Sequence, residues 1–158
     1  MRTFRKIFKL IVVVLTAMKK ITRYYTTDYC EDFRLTKDQA HRLELILTFE
    51  TIRKYLKSGM KILELGAGTG AYSIQLTKEG YDVTAVELVK HNLNILKSRI
   101  EPKMKIMPIL GTATNLKMLA DKEFDMVLSL GPMYHLNKND RLKSLKESTR
   151  VCKRDGIL

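Results

Sequence analysis

A glycine-rich turn directly after a short apolar run limits the folds that are open to this 158-residue chain. Residues 61–65 (KILEL) form the apolar run, and residues 66–70 (GAGTG) form the turn. A helix-forming stretch follows and closes at Gly80. A strand that enters a glycine turn and leaves as a helix puts free backbone N–H groups and the positive end of the helix dipole at one edge of a sheet. The pattern therefore predicts an α/β fold with a ligand site at this turn.

The rest of the chain continues to alternate helices and strands. Before the turn, apolar spacing predicts a helix over 37–57, and residues 36–39 (TKDQ) have the form of a capping box that would start it. After the turn we predict a strand at 83–87, a helix at 90–100, strands at 105–110 and 124–130, a helix at 139–154 and the beginning of a fifth strand at 157. The predicted fold class is a Rossmann-like doubly wound parallel sheet with helices on both faces, incomplete at the C-terminus.

The N-terminal residues differ in character from the rest. Residues 1–24 contain seven basic residues and no acidic one, so more than half of the net charge of +12 belongs to them. Residues 10–18 (LIVVVLTAM) resemble the apolar part of a signal peptide but are too short to cross a bilayer. We expect a cytoplasmic protein with an N-terminal extension over 1–32 and a core over 33–158. Export, or a working start at Met18 with residues 1–17 upstream of it, are the other interpretations.

Cysteine spacing and charge bear on which other sites to expect. Cys30 and Cys152 lie outside any CxxC or Cys/His spacing, so we expect inert thiols and no metal site. The basic excess after residue 24 is typical of a solvated surface, and a surface that binds nucleic acid is the second interpretation.

The glycine turn alone does not identify its ligand. Gly66, Gly68 and Ala71 satisfy the loose fingerprint of dinucleotide-binding folds, and Glu87 could accept hydrogen bonds from a ribose diol. Glu64 favours a ligand that carries an ammonium group, because a carboxylate repels a pyrophosphate. A glycine turn that holds no ligand is the remaining possibility.

The residues around the turn resemble motif I of class I S-adenosylmethionine-dependent methyltransferases. The resemblance covers roughly residues 33–158. Four segments carry it: 64–70 (ELGAGTG), 86–88 (VEL), 124–132 (FDMVLSLGP) and 150–158 (RVCKRDGIL). Segments 32–56 and 129–136 are similar to a group of bacterial small-molecule-type methyltransferases. The resemblance implies S-adenosylmethionine as the cofactor and a small-molecule methyl acceptor as the partner.

The resemblance also implies which residues hold the cofactor. The methionine end would lie against the turn, the ribose against the acid that ends the second strand, and the adenine beside the residues that follow the second and third strands. The residues so implied are Glu64, Gly66, Ala67, Gly68, Gly70, Glu87, Leu88, Thr112, Ala113 and Leu130.

Two side chains after the fourth predicted strand are candidates for the chemistry. His135 has an ordinary pKa near neutrality and could take a proton from the acceptor or orient it. Tyr134 is expected to form a wall that shields the site. The alternative for His135 is a residue that only lines the pocket or lies on the surface.

The sequence departs from the family in ways that keep other hypotheses open. Thr112 and Asn115 stand where the family usually has an acid, which would remove one contact to the adenine. The family fold continues through two more strands, whereas this chain ends as the fifth begins, so a partner chain could complete the sheet. A truncated, non-catalytic protein that binds the cofactor or a partner is the second hypothesis. A nicotinamide-dependent oxidoreductase is the third.

Overall fold

A computed structural model describes residues 18–29 and 31–158. The sheet consists of β1 (Lys61–Leu65), β2 (Asp82–Glu87), β3 (Ile106–Leu110), β4 (Phe124–Leu128) and β5 (Cys152–Ile157). The helices that flank it are α1 (Gln39–Arg53), α2 (Ala71–Lys78), α3 (Lys90–Ser98) and α4 (Lys138–Val151). Shorter helical segments are π-helical at Tyr24–Asp28 and 3-10 at Glu31–Phe33 and Pro132–Tyr134. The signal-like segment at 1–17 and Cys30 lie outside the described residues.

All strand pairs are parallel, and the spatial order is β3-β2-β1-β4-β5. Leu63 at the centre of β1 pairs with Thr84 of β2 on one side and with Val127 of β4 on the other. On one side of β1 the chain adds β2 and then β3, and on the other side it adds β4 and then β5. The direction in which strands are added therefore reverses between β3 and β4. This confirms the doubly wound parallel sheet, and it puts a crevice at the carboxyl ends of β1 and β4.

β1 is buried on both faces, which explains its nearly continuous apolar sequence. Leu63 and Leu65 pack into a core cluster with Phe124 and Val151. Ile62 points to the opposite face, where it packs with Leu76 of α2 and with side chains of α1. Because side chains alternate along a strand, Glu64 shares the face of Ile62. The sequence thus places one carboxylate among the apolar side chains under α2.

The capping box predicted at the start of α1 is wrong. The helix begins at Gln39, and its N-cap is Asp38, whose carboxylate accepts a hydrogen bond from the backbone N–H of His41 at 3.0 Å. Asp38 has the extended backbone that an N-cap needs, so Asp38 fills the place that the prediction gave to Thr36. The helix also ends at Arg53, four residues before the predicted end.

The boundary between α4 and β5 also differs from the prediction. The helix ends at Val151, and β5 begins at Cys152, five residues before the start predicted at 157. Residues 153–155 are charged and exposed, so β5 lacks the apolar pattern by which a strand is recognised. β4 likewise ends at Leu128, two residues earlier than predicted.

β5 is an edge strand. It pairs with β4 at Phe124 and Cys152 and again at Met126 and Ile157, with an irregular register between the two. A partner chain that completes the sheet at this edge stays a prediction. Within residues 18–29 and 31–158, no helix is long and apolar enough to cross a membrane.

Two glycines at the ends of α2 offer a test of the packing. Gly70 and Gly80 have similar positive φ angles, 90° and 94°. A Cβ on Gly70 would lie 2.9 Å from the buried Leu96 side chain, whereas a Cβ on Gly80 would meet nothing within 4 Å. The left-handed conformation costs a non-glycine residue about 1 kcal/mol. Overpacking a filled core costs about 2 kcal/mol more.

We therefore expect Gly70→Ala to lower the free energy of unfolding by about 3 kcal/mol and Gly80→Ala by about 1 kcal/mol. Urea denaturation followed by circular dichroism measures both. Equal losses in the two variants would contradict the close approach of Gly70 to α3.

Candidate functional site

A cleft of about 520 Å³ opens at the carboxyl edge of the sheet, where the strand order reverses. The connections after β1, β2, β3 and β4 contribute to its lining, at positions within 66–69, 87–89, 111–113 and 130–136. A fifth contribution comes from the N-terminal segment, at positions within 21–36. We call this space the cleft.

Glu87 joins the end of β2 to the glycine turn. Its carboxylate is buried, and it accepts the backbone N–H of Gly68 at 2.8 Å on Oε2 and that of Val89 at 2.7 Å on Oε1. Burial raises the pKa of Glu87, and these backbone hydrogen bonds oppose the rise. A carboxylate can accept about four hydrogen bonds, so lone pairs remain for donors on a ligand.

Glu64 lies on the other side of the turn and is more deeply buried. The hydroxyl of Ser73, on α2, donates a hydrogen bond to its carboxylate. Burial raises the pKa of Glu64 to about 7. The side chain is therefore partly protonated at neutral pH, rather than fully ionised as its sequence position suggested. A cationic ligand in the cleft would favour the ionised form and release the proton.

The raised pKa makes stability depend on pH in a defined direction. Between the ordinary pKa of 4.5 and about 7, the folded chain holds a proton on Glu64 that the unfolded chain releases. The stabilisation that comes from this bound proton is complete below pH 4.5 and is lost as the pH rises through about 7.

Between pH 4.5 and pH 8, we expect the wild type to lose about 3 kcal/mol more unfolding free energy than Glu64→Gln does. Urea denaturation across this range measures the difference. The exposed Glu101, changed to Gln, is the matched control and should follow the wild type. A Glu64→Gln curve parallel to the wild type would contradict the raised pKa.

The N-terminal segment is held over the glycine turn by ion pairs. Arg34 donates from Nε to Glu31 at 3.0 Å and from Nη1 to Glu44 of α1 at 2.8 Å. Arg99 pairs with Asp32, and it donates to the backbone carbonyl oxygen of Thr69 in the turn at 3.2 Å. Residues 1–32 were expected to be an extension, and these contacts were not predicted. The local sequence signal for them is two acidic residues, Glu31 and Asp32, close to the basic Arg34.

Tyr134 and His135 lie together at the mouth of the cleft. The Tyr25 hydroxyl approaches both, at 2.9 Å from Nε2 of His135 and at 3.3 Å from the Tyr134 hydroxyl. His135 is largely exposed, and its partial burial lowers its pKa. The structure thus brings the two predicted candidates together with a third side chain from the N-terminal segment.

The predicted cofactor residues line the cleft, with one exception. Gly70 instead forms the N-cap of α2 and packs against Leu96. The hydroxyl of Thr112 lies 3.1 Å from that of Thr114. Among the described residues, no group of three or more His, Cys, Asp or Glu side chains could hold a metal ion.

Comparison with known families matches residues 62–156 to a family model described as a methyltransferase domain. The chain belongs to this methyltransferase domain family. The matched region begins in β1, includes the glycine turn and Glu87, and ends in β5, so all five strands contribute to it.

Two methyltransferases are similar to this chain in sequence. The glycine/sarcosine N-methyltransferase of Parasynechococcus marenigrum is 32% identical over 148 residues, which cover 87% of this chain and 51% of that protein. The ubiquinone biosynthesis O-methyltransferase of Pelagibacter ubique is 29% identical over 100 residues, which cover 63% of this chain and 40% of that protein. The chain therefore spans about half the length of these relatives or less.

A solved structure supports the same fold. The PH0226 protein of Pyrococcus horikoshii superposes with a TM-score of 0.68 at 26% identity. The match covers 81% of this chain and 59% of that one.

Proposed function

We propose that this chain binds S-adenosylmethionine in the cleft and transfers its methyl group to a small-molecule acceptor. The observation that carries the proposal is the pair of buried carboxylates, Glu64 and Glu87, on either side of the glycine turn at the point where strand order reverses. Membership of the methyltransferase domain family supports it independently.

The residues of the cleft fit this cofactor. Glu64 can accept hydrogen bonds from the ammonium group of the methionine end, and Glu87 can accept them from the ribose hydroxyls. Leu88 and Ala113 supply apolar surface for the adenine, with Thr112 beside them. The volume of about 520 Å³ lies in the range of pockets that hold ligands of this size.

The cofactor supplies a methyl group already activated as a sulfonium. The protein therefore has to align the acceptor behind the methyl carbon, exclude water and accept a proton where the acceptor carries one. Leu130 and Pro132 lie on the side of the cleft after β4, where they can bound the acceptor. His135 lies at the mouth of the same side and can take the proton.

The charges of the lining favour an amine as the acceptor. Its charged residues are the carboxylates Glu31, Asp32, Glu44, Glu64 and Glu87 and the guanidinium groups Arg34 and Arg99. Three carboxylates are thus in excess once the bound cofactor has ionised Glu64, and the cofactor itself brings only one net positive charge. A protonated amine is attracted to the remaining negative charge, whereas a carboxylate acceptor is repelled. The relative from Parasynechococcus marenigrum is named an N-methyltransferase, which agrees with this choice, whereas the relative from Pelagibacter ubique is named an O-methyltransferase.

These observations support neither the nicotinamide-dependent oxidoreductase nor the non-catalytic binding protein. A nicotinamide dinucleotide would bring its pyrophosphate beside Glu64, and the family match is to methyltransferases. The non-catalytic alternative has no observation that favours it over catalysis.

Calorimetric titration with S-adenosylhomocysteine tests the cofactor assignment. We expect saturable binding that weakens at least tenfold in Glu87→Gln, because the amide accepts fewer hydrogen bonds from the ribose hydroxyls. Glu101→Gln should bind as the wild type does, and NADH should not bind. Unchanged affinity in Glu87→Gln would contradict the assignment of the ribose to Glu87.

A panel of acceptors tests the preference for amines. With S-adenosylmethionine radiolabelled on the methyl group, we expect transfer to small primary or secondary amines to exceed transfer to phenols and carboxylates at least tenfold in kcat/KM. Glu44→Gln should reduce that preference, because it removes one negative charge from the lining. Transfer to carboxylates or phenols alone would overturn the choice of amine.

A further inference from the structure

The mouth of the cleft contains a phenol and an imidazole from opposite ends of the chain. We propose that Tyr25 is the proton-transfer partner of His135, with its hydroxyl donating to Nε2, and that the pair takes the proton of the acceptor. This inference rests on the proposed methyl transfer, and it assigns a role to a residue of the N-terminal segment.

The geometry of the pair supports a direct hydrogen bond. Tyr25 Oη lies 2.9 Å from Nε2 of His135. The two rings meet edge to face, with centroids 5.6 Å apart and an interplanar angle of 82°. The pair is separated by 110 positions in the sequence. Tyr25 belongs to the π-helical segment and His135 follows the 3-10 segment after β4, so the bond joins the two sides of the mouth.

The surroundings keep both groups uncharged at neutral pH. Burial is the largest cause that raises the pKa of Tyr25, so the phenol retains its hydrogen. Tyr24 and Glu31 also face Tyr25 and act in the same direction. Partial burial lowers the pKa of His135, so the imidazole is neutral. A phenol that holds its hydrogen can donate to the Nε2 of a neutral imidazole whose own hydrogen is on Nδ1, and this is the tautomer that the proposal requires.

This arrangement gives a balanced route for the proton. The N–H proton of the acceptor passes to Tyr25 Oη while the hydrogen of Tyr25 passes to Nε2, and His135 becomes an imidazolium. The freed nitrogen lone pair forms the bond to the methyl carbon. The bond between sulfur and the methyl carbon breaks, and its electron pair stays on sulfur as a neutral thioether. The imidazolium later loses its proton to water.

The role of Tyr25 explains why an N-terminal segment should lie over the cleft. Tyr25 and Glu31 both line it, and the ion pair of Asp32 with Arg99 attaches the same segment to the residue that follows α3. The segment that covers the mouth is thus also the one that places the hydroxyl against the imidazole.

The test compares Tyr25→Phe with Tyr24→Phe. The two variants lose the same hydroxyl group at adjacent positions, and the Tyr24 ring stacks on Tyr29 outside the lining of the cleft. The first readout is the pKa of His135, measured by NMR of the full chain with labelled histidine. The chain has three histidines, and His135→Asn assigns the resonance.

We expect the pKa of His135 to rise by about 0.7 in Tyr25→Phe, because a hydrogen bond donated to Nε2 stabilises only the neutral imidazole. Tyr24→Phe should leave it unchanged. A fall in Tyr25→Phe would mean that the phenol accepts a hydrogen bond from the imidazolium, and no change would mean that the two groups do not interact. Either result overturns the proposal.

The second readout is turnover with an acceptor that the panel identifies. Tyr25→Phe should lower kcat about 100-fold, flatten the pH profile near the pKa of His135 and leave KM for S-adenosylmethionine unchanged. Tyr24→Phe should retain wild-type turnover. A Tyr25→Phe variant with wild-type kcat overturns the proposal. Absence of turnover in the wild type would count against the proposed function, and the histidine titration would still decide whether the pair exists.

Discussion

The two hydrogen bonds that the Glu87 carboxylate accepts from the backbone hold the cleft together. They fix the glycine turn after β1 to the end of β2, through Gly68 and Val89. Because β2 is paired to β1 and to β3, this attachment places the turn, and the N-terminus of α2 that follows it, at a fixed position on the sheet edge. The reversal of strand order beside β1 leaves that edge open for a ligand. The Glu87 carboxylate thus both holds the glycine turn in place and lines the cleft.

The parts of the fold that sequence analysis predicted are those whose local pattern is decisive. β1 is an apolar run buried on both faces, and the glycine turn after it has few alternatives. β5 was placed five residues too late because residues 153–155 are charged and exposed although they belong to a strand. The cap of α1 was misplaced because Thr36 and Asp38 are both good N-caps, and the sequence does not tell which of them has the extended backbone.

The site was predicted only where its residues lie next to a strand end. Tyr25 could not be found, because its contact with His135 joins positions 110 residues apart and no periodicity reports such a contact. The protonation of Glu64 was also beyond sequence reasoning. Its position suggested a charge, whereas its pKa of about 7 comes from burial between the sheet and α2. Both features depend on what packs against a residue rather than on its neighbours in the chain.

The proposed function requires the cofactor to lie on the glycine turn between Glu64 and Glu87. The most direct test is an NMR titration of backbone amides with S-adenosylhomocysteine. We predict that the amide resonances of Gly68 and Val89, which Glu87 holds, shift together with that of Ala113, while that of Gly80 at the far end of α2 stays in place. Shifts confined to Gly80 and the helix surfaces, or a titration that leaves the Gly68 resonance unmoved, would contradict this placement of the cofactor.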